Sequence, residues 1–309
     1  MKVYRSIEEI PSIKNPVVTL GTYDGVHLGH QEIISFLKRN AERIGGETVL
    51  FTFHPHPRMV LHPDDHGMKL IQSIDERISK LERFGIDHLI LFPFTEEFSR
   101  LSATEFVRDI LVNKINVAAM NIGYNHHFGR NREGNLELLK ELGIVYDFQV
   151  EEIPAFRTGD ISISSTKIRK AIHSGDLKTA QKYLGEAFAF KGSVVRGDQI
   201  GTKIGFPTAN IEPESPNQII PASGVYAVKV HFGNHELKGM MNIGLRPTVS
   251  SKKEQRLEVH LFDFNNDIYD EVLHITFIER IRDEQEFESL EALTKQLKND
   301  QATCISMLA

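Results

Sequence analysis

The change in hydrophobic patterning beyond the middle of the chain restricts its fold more than any other feature. Up to about residue 184, β-branched apolar runs alternate with stretches in which apolar residues recur at helical spacing. Beyond that point, short strand-like runs follow one another with glycines between them. We therefore predict two domains, residues 1–184 and 185–309, a division that also suits the length of 309 residues.

The first half has the pattern of an α/β domain. Five of its runs have the composition of buried strands, and the helical stretches between them often end at glycine. This alternation favours a Rossmann-like parallel sheet covered on both faces, with ligands bound beyond the carboxyl ends of the strands. The predicted strands are 16–20, 48–53, 88–92, 117–122 and 144–150, and the predicted helices are 33–44, 75–84, 102–113, 135–142, 165–172 and 177–184.

The second half has the pattern of a small, mainly antiparallel β-barrel. Its strands are short and evenly spaced, and the apolar residues of one late segment share a single helical face. We expect that segment to form a C-terminal helix packed on the outside of the barrel. The predicted strands are 190–195, 225–230, 237–243, 257–264 and 272–278, and the predicted helix is 286–297.

Composition and charge exclude several classes of protein. The net charge is −6 and the basic residues are dispersed, so the broad basic surface of a nucleic-acid-binding protein is absent. The single cysteine, Cys304, excludes an intramolecular disulfide and suits a reducing compartment. No apolar stretch approaches the roughly 18 residues of a membrane span, and the N-terminus lacks a signal-peptide core. We expect a cytoplasmic monomer or weak homo-oligomer without nucleic-acid or membrane partners.

The segment 19–30, TLGTYDGVHLGH, passes from a strand through a glycine-rich loop into a helix. Its glycines allow close backbone approach, and the amides at the start of the helix favour an anion. His27 and His30 are three residues apart, so they share one face of the first turn and can donate to the phosphates of ATP. The other candidate phosphate-binding residues of the loop are Gly21, Asp24, Gly25 and Gly29.

The segment 163–169, ISSTKIR, is a candidate second contact to the same phosphates. Ser164, Ser165 and Thr166 can cap a helix, and Arg169 places a cation near its amide-rich end. Alone, this pattern is typical of an ordinary helix start. Together with the histidine loop, it predicts a second group of donors to the triphosphate.

The segment 53–57, FHPHP, follows the second predicted strand, where a parallel sheet is expected to bind ligands. Two prolines and an aromatic residue make this loop stiff and flat. A simple turn and a ligand-binding loop are equally compatible with the pattern.

The segment 192–210, GSVVRGDQIGTKIGFPTAN, lacks the Gly-Lys-Ser/Thr ending of a Walker P-loop. A glycine-rich flap can nevertheless surround a nucleotide with backbone amides. Thr208 and Asn210 offer the oxygen ligands that suit Mg²⁺. The candidate phosphate-binding residues of the flap are Gly197, Gly201, Lys203 and Gly205.

Glu258 lies near the start of the predicted strand 257–264, LEVHLFDF. A carboxylate at this position can orient or deprotonate a substrate hydroxyl, as a kinase general base does. A single strand glutamate is more often a solvated side chain, so the pattern alone leaves both interpretations open.

Taken together, these motifs resemble those of the prokaryotic bifunctional riboflavin kinase/FMN adenylyltransferases, or FAD synthetases. The histidine loop is similar to the His-x-Gly-His signature of nucleotidyltransferases, 163–169 to their Ser-Ser-Thr-x-x-Arg motif, and the flap and Glu258 strand to riboflavin kinase motifs. The resemblance implies that the C-terminal half converts riboflavin and ATP to FMN and ADP. It implies that the N-terminal half converts FMN and ATP to FAD and pyrophosphate.

The resemblance also implies roles for individual residues. In adenylyl transfer these are His27, His30 and Arg169, and in the kinase they are Glu258 as catalytic base and Thr208 with Asn210 as ligands of the Mg²⁺ that accompanies ATP. The segment 123–129, GYNHHFG, is similar to a family loop written Gly-x-Asp-Phe-x-Phe-Gly, with Asn125 and His126 replacing the usual Asp and Phe. The implied flavin-binding residues are Phe53, His54, Pro55, His56, Pro57 and Asn125.

Three alternative functions remain open at the level of sequence. The altered Asn125–His126 pair is compatible with an enzyme that keeps only the kinase activity. A flavin-binding regulatory protein is disfavoured because binding alone does not require Glu258 beside a metal loop. Transfer-RNA ligation, which shares a His-x-Gly-His element, is disfavoured by the absence of a basic surface.

Overall fold

The computed structural model describes residues 1–63, 67–123, 126–154, 157–158, 161–197, 201, 204–247 and 253–309. These residues form two compact units. Unit 1 comprises Met1–Met68 and Ile74–Ser164, and unit 2 comprises Lys69–Ser73 and Ser165–Ala309. The two helices that precede residue 185 therefore pack with unit 2, whereas the functional boundary between residues 184 and 185 stays a prediction.

Unit 1 is built on a six-stranded sheet in the order β1-β4-β3-β2-β5-β6, and every neighbouring pair is parallel. The direction in which successive strands are added reverses between β2 and β5. A ligand crevice is expected at such a switch point, beyond the carboxyl ends of the strands. The strands are β1 Lys2–Tyr4, β2 Val17–Leu20, β3 Thr48–His54, β4 His88–Pro93, β5 Ala119–Gly123 and β6 Gln149–Ile153, and a separate pair is formed by β7 Arg157–Thr158 and β8 Ile161–Ser162.

Helices cover both faces of this sheet, as predicted. Val17 and Val18 are neighbours whose side chains point to opposite faces, and they belong to different hydrophobic clusters. One cluster includes Leu37 and Leu81 from helices on one face, and the other includes Leu139 from the opposite face. The helices are α1 Leu28–Ile44, α2 Pro57–Leu61, α3 Ile74–Arg83, α4 Glu96–Ser99, α5 Ala103–Glu105, which continues as a π-helical segment over Phe106–Val112, and α6 Leu136–Tyr146.

The prediction of a strand over 144–150 is wrong at its start. Helix α6 extends into this range as far as Tyr146, and β6 begins only at Gln149. The predicted stop, Gly143, lies inside the helix, where a Cβ would stand 2.8 Å from the Phe148 carbonyl oxygen. This glycine is therefore required for close packing, and the helix ends at Asp147 in the left-handed conformation, with φ 59°.

Unit 2 is a closed antiparallel barrel in the strand order β10-β13-β12-β11-β14-β9, which confirms the predicted fold of the second half. The C-terminal helix packs outside it, where the buried Cys304 contacts a cluster that includes Met240. Burial raises the pKa of the Cys304 thiol to about 12. The elements are α7 Ser165–His173, α8 Leu177–Leu184, β9 Ala189–Val195, β10 Ala209–Pro213, β11 Gly224–Phe232, β12 His235–Pro247, β13 Lys253–Leu261, β14 Val272–Arg282 and α9 Leu290–Met307.

The strand predicted over 257–264 lies instead at Lys253–Leu261 as β13, and an unpredicted strand and the C-terminal helix also differ from the prediction. Strand β10 was not predicted, because proline and asparagine in its sequence indicate a turn, yet it closes the barrel between β9 and β13. The predicted helix 286–297 is wrong at both ends. Its true N-cap is Ser289, whose hydroxyl accepts a hydrogen bond from the Ala292 amide at 3.1 Å, and the helix extends to Met307.

Candidate active sites

The loop after β2 has an unusual backbone conformation. Gly25 has φ 87°, which suits glycine, but Tyr23 (φ 51°) and Val26 (φ 38°) also lie in the left-handed region. Each such residue costs about 1–3 kcal/mol, so surrounding contacts must hold the loop in place. One contact joins the Tyr23 hydroxyl to the Thr19 hydroxyl at 3.0 Å, and burial raises the pKa of Tyr23. Strain of this kind is often found at ligand sites.

The two predicted histidines stack at the start of α1. His27 is the N-cap, and its Nδ1 accepts a hydrogen bond from the His30 amide at 3.3 Å, so the neutral ring carries its proton on Nε2. The two ring centroids are 3.6 Å apart, and the planes differ by 15°. Burial, followed by His27 and the cations Arg77 and Lys80, lowers the pKa of His30 well below its ordinary value. His30 is therefore neutral at pH 7.

One ring nitrogen of His30 has no hydrogen-bond partner in the described part of the chain. This atom, Nδ1, is buried. Buried polar groups are nearly always paired, so an unpartnered nitrogen beside a glycine loop is suited to contact a ligand. Gly29 leaves room for the stacked rings, since a Cβ there would lie 3.3 Å from the His27 ring.

A cavity of about 1430 Å³ opens at the carboxyl ends of β2, β3, β4 and β5. It therefore lies at the switch point of the sheet. One side is an aromatic wall formed by Phe53, Phe94 and Phe98. Their ring centroids are 5.3 Å apart for Phe53 and Phe94, and 5.6 Å for the other two pairs. Such a wall offers a large apolar surface to a flat aromatic ligand.

The rest of the cavity is rich in basic side chains. No acidic side chain is found among the lining residues that the structure describes, and the four arginines there are Arg58, Arg100, Arg130 and Arg132. His126 also lines the cavity, and burial, with smaller effects of His127 and Arg132, lowers its pKa to about 4. This charge distribution favours an anionic ligand such as a phosphorylated flavin or a triphosphate.

The structure brings several residues of the predicted N-terminal site to this cavity. Gly21, His30, Phe53, His56 and Pro57 line it. Gly25, His27 and Gly29 lie in the loop after β2 and at the start of α1, and they are not among the residues that line the cavity. His54 and Pro55 are exposed at the end of β3, and the predicted Asn125 lies outside the described residues.

The remaining predicted residues of this site lie elsewhere. Asp24 belongs to the loop and is fully buried, with its Oδ1 3.6 Å from Nη2 of Arg77. Ser164 is the last residue of unit 1, and α7 begins directly after it. Ser165, Thr166 and Arg169 lie on α7 in unit 2, so their approach to the histidine pair stays a prediction.

Sequence reasoning missed two of the three aromatic residues in the wall. Phe94 directly follows β4 and Phe98 lies on the short helix α4 just beyond it, whereas Phe53 is the last residue but one of β3. A rule that places ligands beyond the carboxyl ends of parallel strands applies equally to β4. The stretch 92–98, FPFTEEF, therefore carried a signal that was overlooked.

In unit 2, Glu258 lies on the outer face of the barrel with polar neighbours on both sides. It pairs across the sheet with Asn210 on β10 and with Asn242 on β12, and directly opposite residues share a face. The neighbours of Glu258 along the strand, Leu257 and Val259, are buried on the other face. The carboxylate itself is 23% exposed, which leaves it accessible to a substrate.

Arg256 joins two of the predicted kinase residues and was missed by the sequence analysis. Its Nη2 lies 3.1 Å from Oε1 of Glu258, and its Nε donates to Oδ1 of Asn210 at 3.1 Å. Arg256 precedes Glu258 by two residues and so lies on the same face of β13. That spacing is the signal by which it could have been found.

The flap between β9 and β10 packs closely on these residues. A side chain at Gly197 would collide with the Asn210 amide, and one at Gly201 would collide with the Phe206 carbonyl. Gly205 has φ 81°. The ring Nδ1 of His260 lies 2.7 Å from the Pro207 carbonyl oxygen and anchors the end of the flap. Lys203 lies outside the described residues.

The predicted Mg²⁺ ligands are side chains with oxygen donors. Thr208 and Asn210 are both half-buried, Thr208 directly precedes β10, and positions two apart in an extended segment share one face. A hydroxyl and an amide oxygen are donors that Mg²⁺ prefers. The Asn210 oxygen already accepts a hydrogen bond from Arg256 and retains one lone pair for a metal ion. The residues present therefore fit the ion.

Two family models match different parts of the chain. The FAD synthetase family model matches residues 9–167, and the riboflavin kinase family model matches residues 184–308. The chain belongs to the bifunctional riboflavin kinase/FMN adenylyltransferase family. This membership confirms the predicted family, fold class and pair of activities. Enzymes of the family use ATP and flavin substrates.

Named relatives of this family align over nearly the whole chain. The bifunctional riboflavin kinase/FMN adenylyltransferase of Buchnera aphidicola subsp. Schizaphis graminum is 40% identical, covering 97% of this chain and 96% of the relative. The enzyme of the same name from Escherichia coli K12 is 35% identical, covering 98% and 96%. That of Bacillus subtilis 168 is 36% identical, covering 94% and 91%.

A solved structure shares the fold over the same extent. A crystal structure named as a macrolide-efflux protein from Streptococcus pneumoniae has a TM-score of 0.88 and is 34% identical, covering 98% of each chain. Its name describes that protein, and the similarity concerns the fold. In the described part of this chain, no helix has both the length and the apolar character needed to span a membrane.

Proposed function

We propose that the cavity of unit 1 binds FMN and ATP for adenylyl transfer, and that riboflavin is phosphorylated beside Glu258 on the barrel of unit 2. The observation that carries the first assignment is the convergence of the strained glycine loop, the stacked histidines and the arginine-rich cavity at one end of a parallel sheet. The aromatic wall supplies an apolar surface for the isoalloxazine ring.

In adenylyl transfer, a phosphate oxygen of FMN attacks the α-phosphorus of ATP. A new phosphoanhydride bond forms, the bond between the α-phosphorus and the bridging oxygen breaks, and pyrophosphate leaves. The FMN phosphate is already an anion at neutral pH, so the site mainly needs to position the reactants and stabilise charge. His27 and His30 donate to the phosphates in this proposal, together with Ser165 and Arg169.

In the kinase step, Glu258 accepts the proton of the riboflavin 5′-hydroxyl. The oxygen then attacks the γ-phosphorus of a second ATP, the bond to the β–γ bridging oxygen breaks, and ADP leaves. Arg256 orients the Glu258 carboxylate through its contact at 3.1 Å. Thr208 and Asn210 would hold Mg²⁺, which neutralises charge on the phosphates when it is bound with ATP.

We also propose the ligands, the cellular location and the oligomeric state of the enzyme. Its partners are riboflavin, FMN, FAD, ATP, ADP and pyrophosphate, and it acts in the cytoplasm as a monomer or weak homo-oligomer without nucleic-acid or membrane partners. The functional boundary lies between residues 184 and 185, so that α7 and α8 carry residues of the adenylyltransferase.

Reciprocal variants test this assignment. His30→Ala is expected to lower FAD formation from FMN by about 10²–10³-fold and to leave riboflavin phosphorylation unchanged, because each reaction has its own site. Glu258→Gln is expected to do the reverse. Glu279→Gln is the matched control, since this carboxylate lies on β14 and pairs with Lys178 at 2.6 Å. Chromatographic separation of FMN and FAD measures both activities, and equal damage to both by either variant would contradict two separate sites.

A further inference from the structure

Three buried charges gather around the loop after β2. In the described part of unit 1, three aspartate, glutamate, lysine or arginine side chains are buried. They are those of Asp24, Arg77 and Lys80, which are 0%, 2% and 3% exposed. Asp24 belongs to the loop, and the two cations come from α3. Burying a charge carries a large desolvation cost, so concentrating these groups here requires a compensating role.

The two cations hold backbone oxygens of the loop. Lys80 Nζ donates to the Gly25 carbonyl at 2.9 Å, and Arg77 Nη1 donates to the Thr22 carbonyl at 2.9 Å. The held peptides flank Tyr23 and Val26, the residues with strained φ angles. Charge-assisted hydrogen bonds are the strong ones, so these two can maintain a loop conformation that is unfavourable by itself.

The same loop leads directly into the histidine pair. His27 caps α1 only two residues after Gly25, and the His30 ring stacks on His27. A displacement of the Gly25 carbonyl would therefore move both rings. Lys80 contacts the loop from α3 and is absent from the residues that line the cavity, so its effect on a bound nucleotide must pass through the loop and through its charge.

We propose that Lys80 is a positioning residue for adenylyl transfer. It holds the loop after β2 through the Gly25 carbonyl and keeps a positive charge beneath that loop. The inference rests on the proposed adenylyl-transfer site and adds a residue outside its sequence motifs. The ammonium also acts on His30, which faces His27, Arg77 and Lys80 as charged or titratable groups and Tyr23 as a ring neighbour at 4.8 Å.

Lys80→Met removes the ammonium while retaining an unbranched apolar chain. It is expected to lower kcat/KM for FAD formation by about 10²-fold, because small displacements of positioning groups have effects of that size. Riboflavin phosphorylation is expected to stay unchanged. Loss of the positive charge raises the pKa of His30, and NMR titration of the His30 ring measures this shift directly. Lys80→Arg should restore both the rate and the pKa in large part.

Lys38→Met is the matched control. Lys38 lies on α1 and donates to the Phe84 carbonyl at 3.1 Å, so it makes a lysine–carbonyl bond in unit 1 that is unrelated to the loop. If Lys80→Met fails to fold, the double variant Asp24→Asn/Lys80→Met removes one charge of each sign and keeps the net charge of the group.

The possible results distinguish a failure of the role of Lys80 from a failure of the proposed adenylyl-transfer site. An unchanged His30 pKa in the folded Lys80→Met variant would overturn the role of Lys80, and so would an adenylylation rate equal to that of Lys38→Met in the folded Lys80→Met or double variant. Equal loss of both activities would also overturn it. His30→Ala is measured alongside: normal FAD formation by that variant would reject the proposed site itself, whereas its loss together with normal Lys80 variants would reject only the inference.

Discussion

His126 makes the stability of unit 1 depend on pH in a way that one substitution can isolate. The half-buried ring lies in the cavity, and burial, His127 and Arg132 lower its pKa to about 4. In the unfolded chain the same group titrates near 6.5. Between these two values the unfolded state binds a proton that the folded state does not bind.

The sign and size of the effect follow from this difference. Above pH 6.5 both states are neutral at His126 and the group contributes nothing to the pH dependence. As the pH falls towards 4, protonation favours the unfolded state, so stability is lost. A difference of about 2.5 pKa units corresponds to about 3 kcal/mol, an upper value for a ring that is partly solvated.

His126→Gln removes this contribution because glutamine does not titrate. Between pH 7 and pH 4, we expect the free energy of unfolding of unit 1 to fall in both proteins. The fall should be larger in the wild type than in the variant, by up to about 3 kcal/mol. Burial also lowers the pKa of His30 and of His54, so the wild-type slope includes other groups and the difference between the two proteins is the informative quantity.

Hydrogen exchange of peptides that cover β2 and β5 reports on unit 1 separately from the barrel, with rates corrected for the pH dependence of intrinsic exchange. NMR titration of the His126 ring measures its pKa directly. Parallel stability curves for wild type and variant, or a His126 pKa near 6.5, would refute the reasoning.

Two further predictions concern one unit each. Gly197→Ala should slow riboflavin phosphorylation and raise KM for ATP in that reaction, because the new methyl group displaces the Asn210 amide from Arg256, while FAD formation stays normal; unchanged kinase kinetics would show that the flap accommodates the methyl group. Phe98→Ala should raise KM for FMN about tenfold, since aromatic contacts contribute roughly 0.5–1.5 kcal/mol each beyond buried area. Steady-state kinetics with FMN varied checks this second expectation, and an unaltered KM would place the flavin away from the aromatic wall.

Local signals in the sequence succeeded where the responsible interactions are themselves local. The helix predicted over 102–113 begins where its sequence indicates, because Ser102 and Glu105 form a reciprocal capping box. The histidines at 27 and 30 were recognised because the stacking depends on three-residue spacing at a helix start. Prediction failed at Gly143, where close packing against Phe148 and Val150, just beyond the end of the helix, requires a glycine that has the appearance of a stop.

The sequence by itself determined the α/β and barrel patterns, the family and the motifs of both sites, because hydrophobic period and short motifs are properties of neighbouring residues. Only the tertiary structure placed Lys80 and Arg77 beneath a loop that lies 55 residues earlier in the chain. Cross-strand register alone brought Arg256 and Asn210 together, across 46 residues. Such contacts depend on how distant segments pack, and no local pattern encodes that packing.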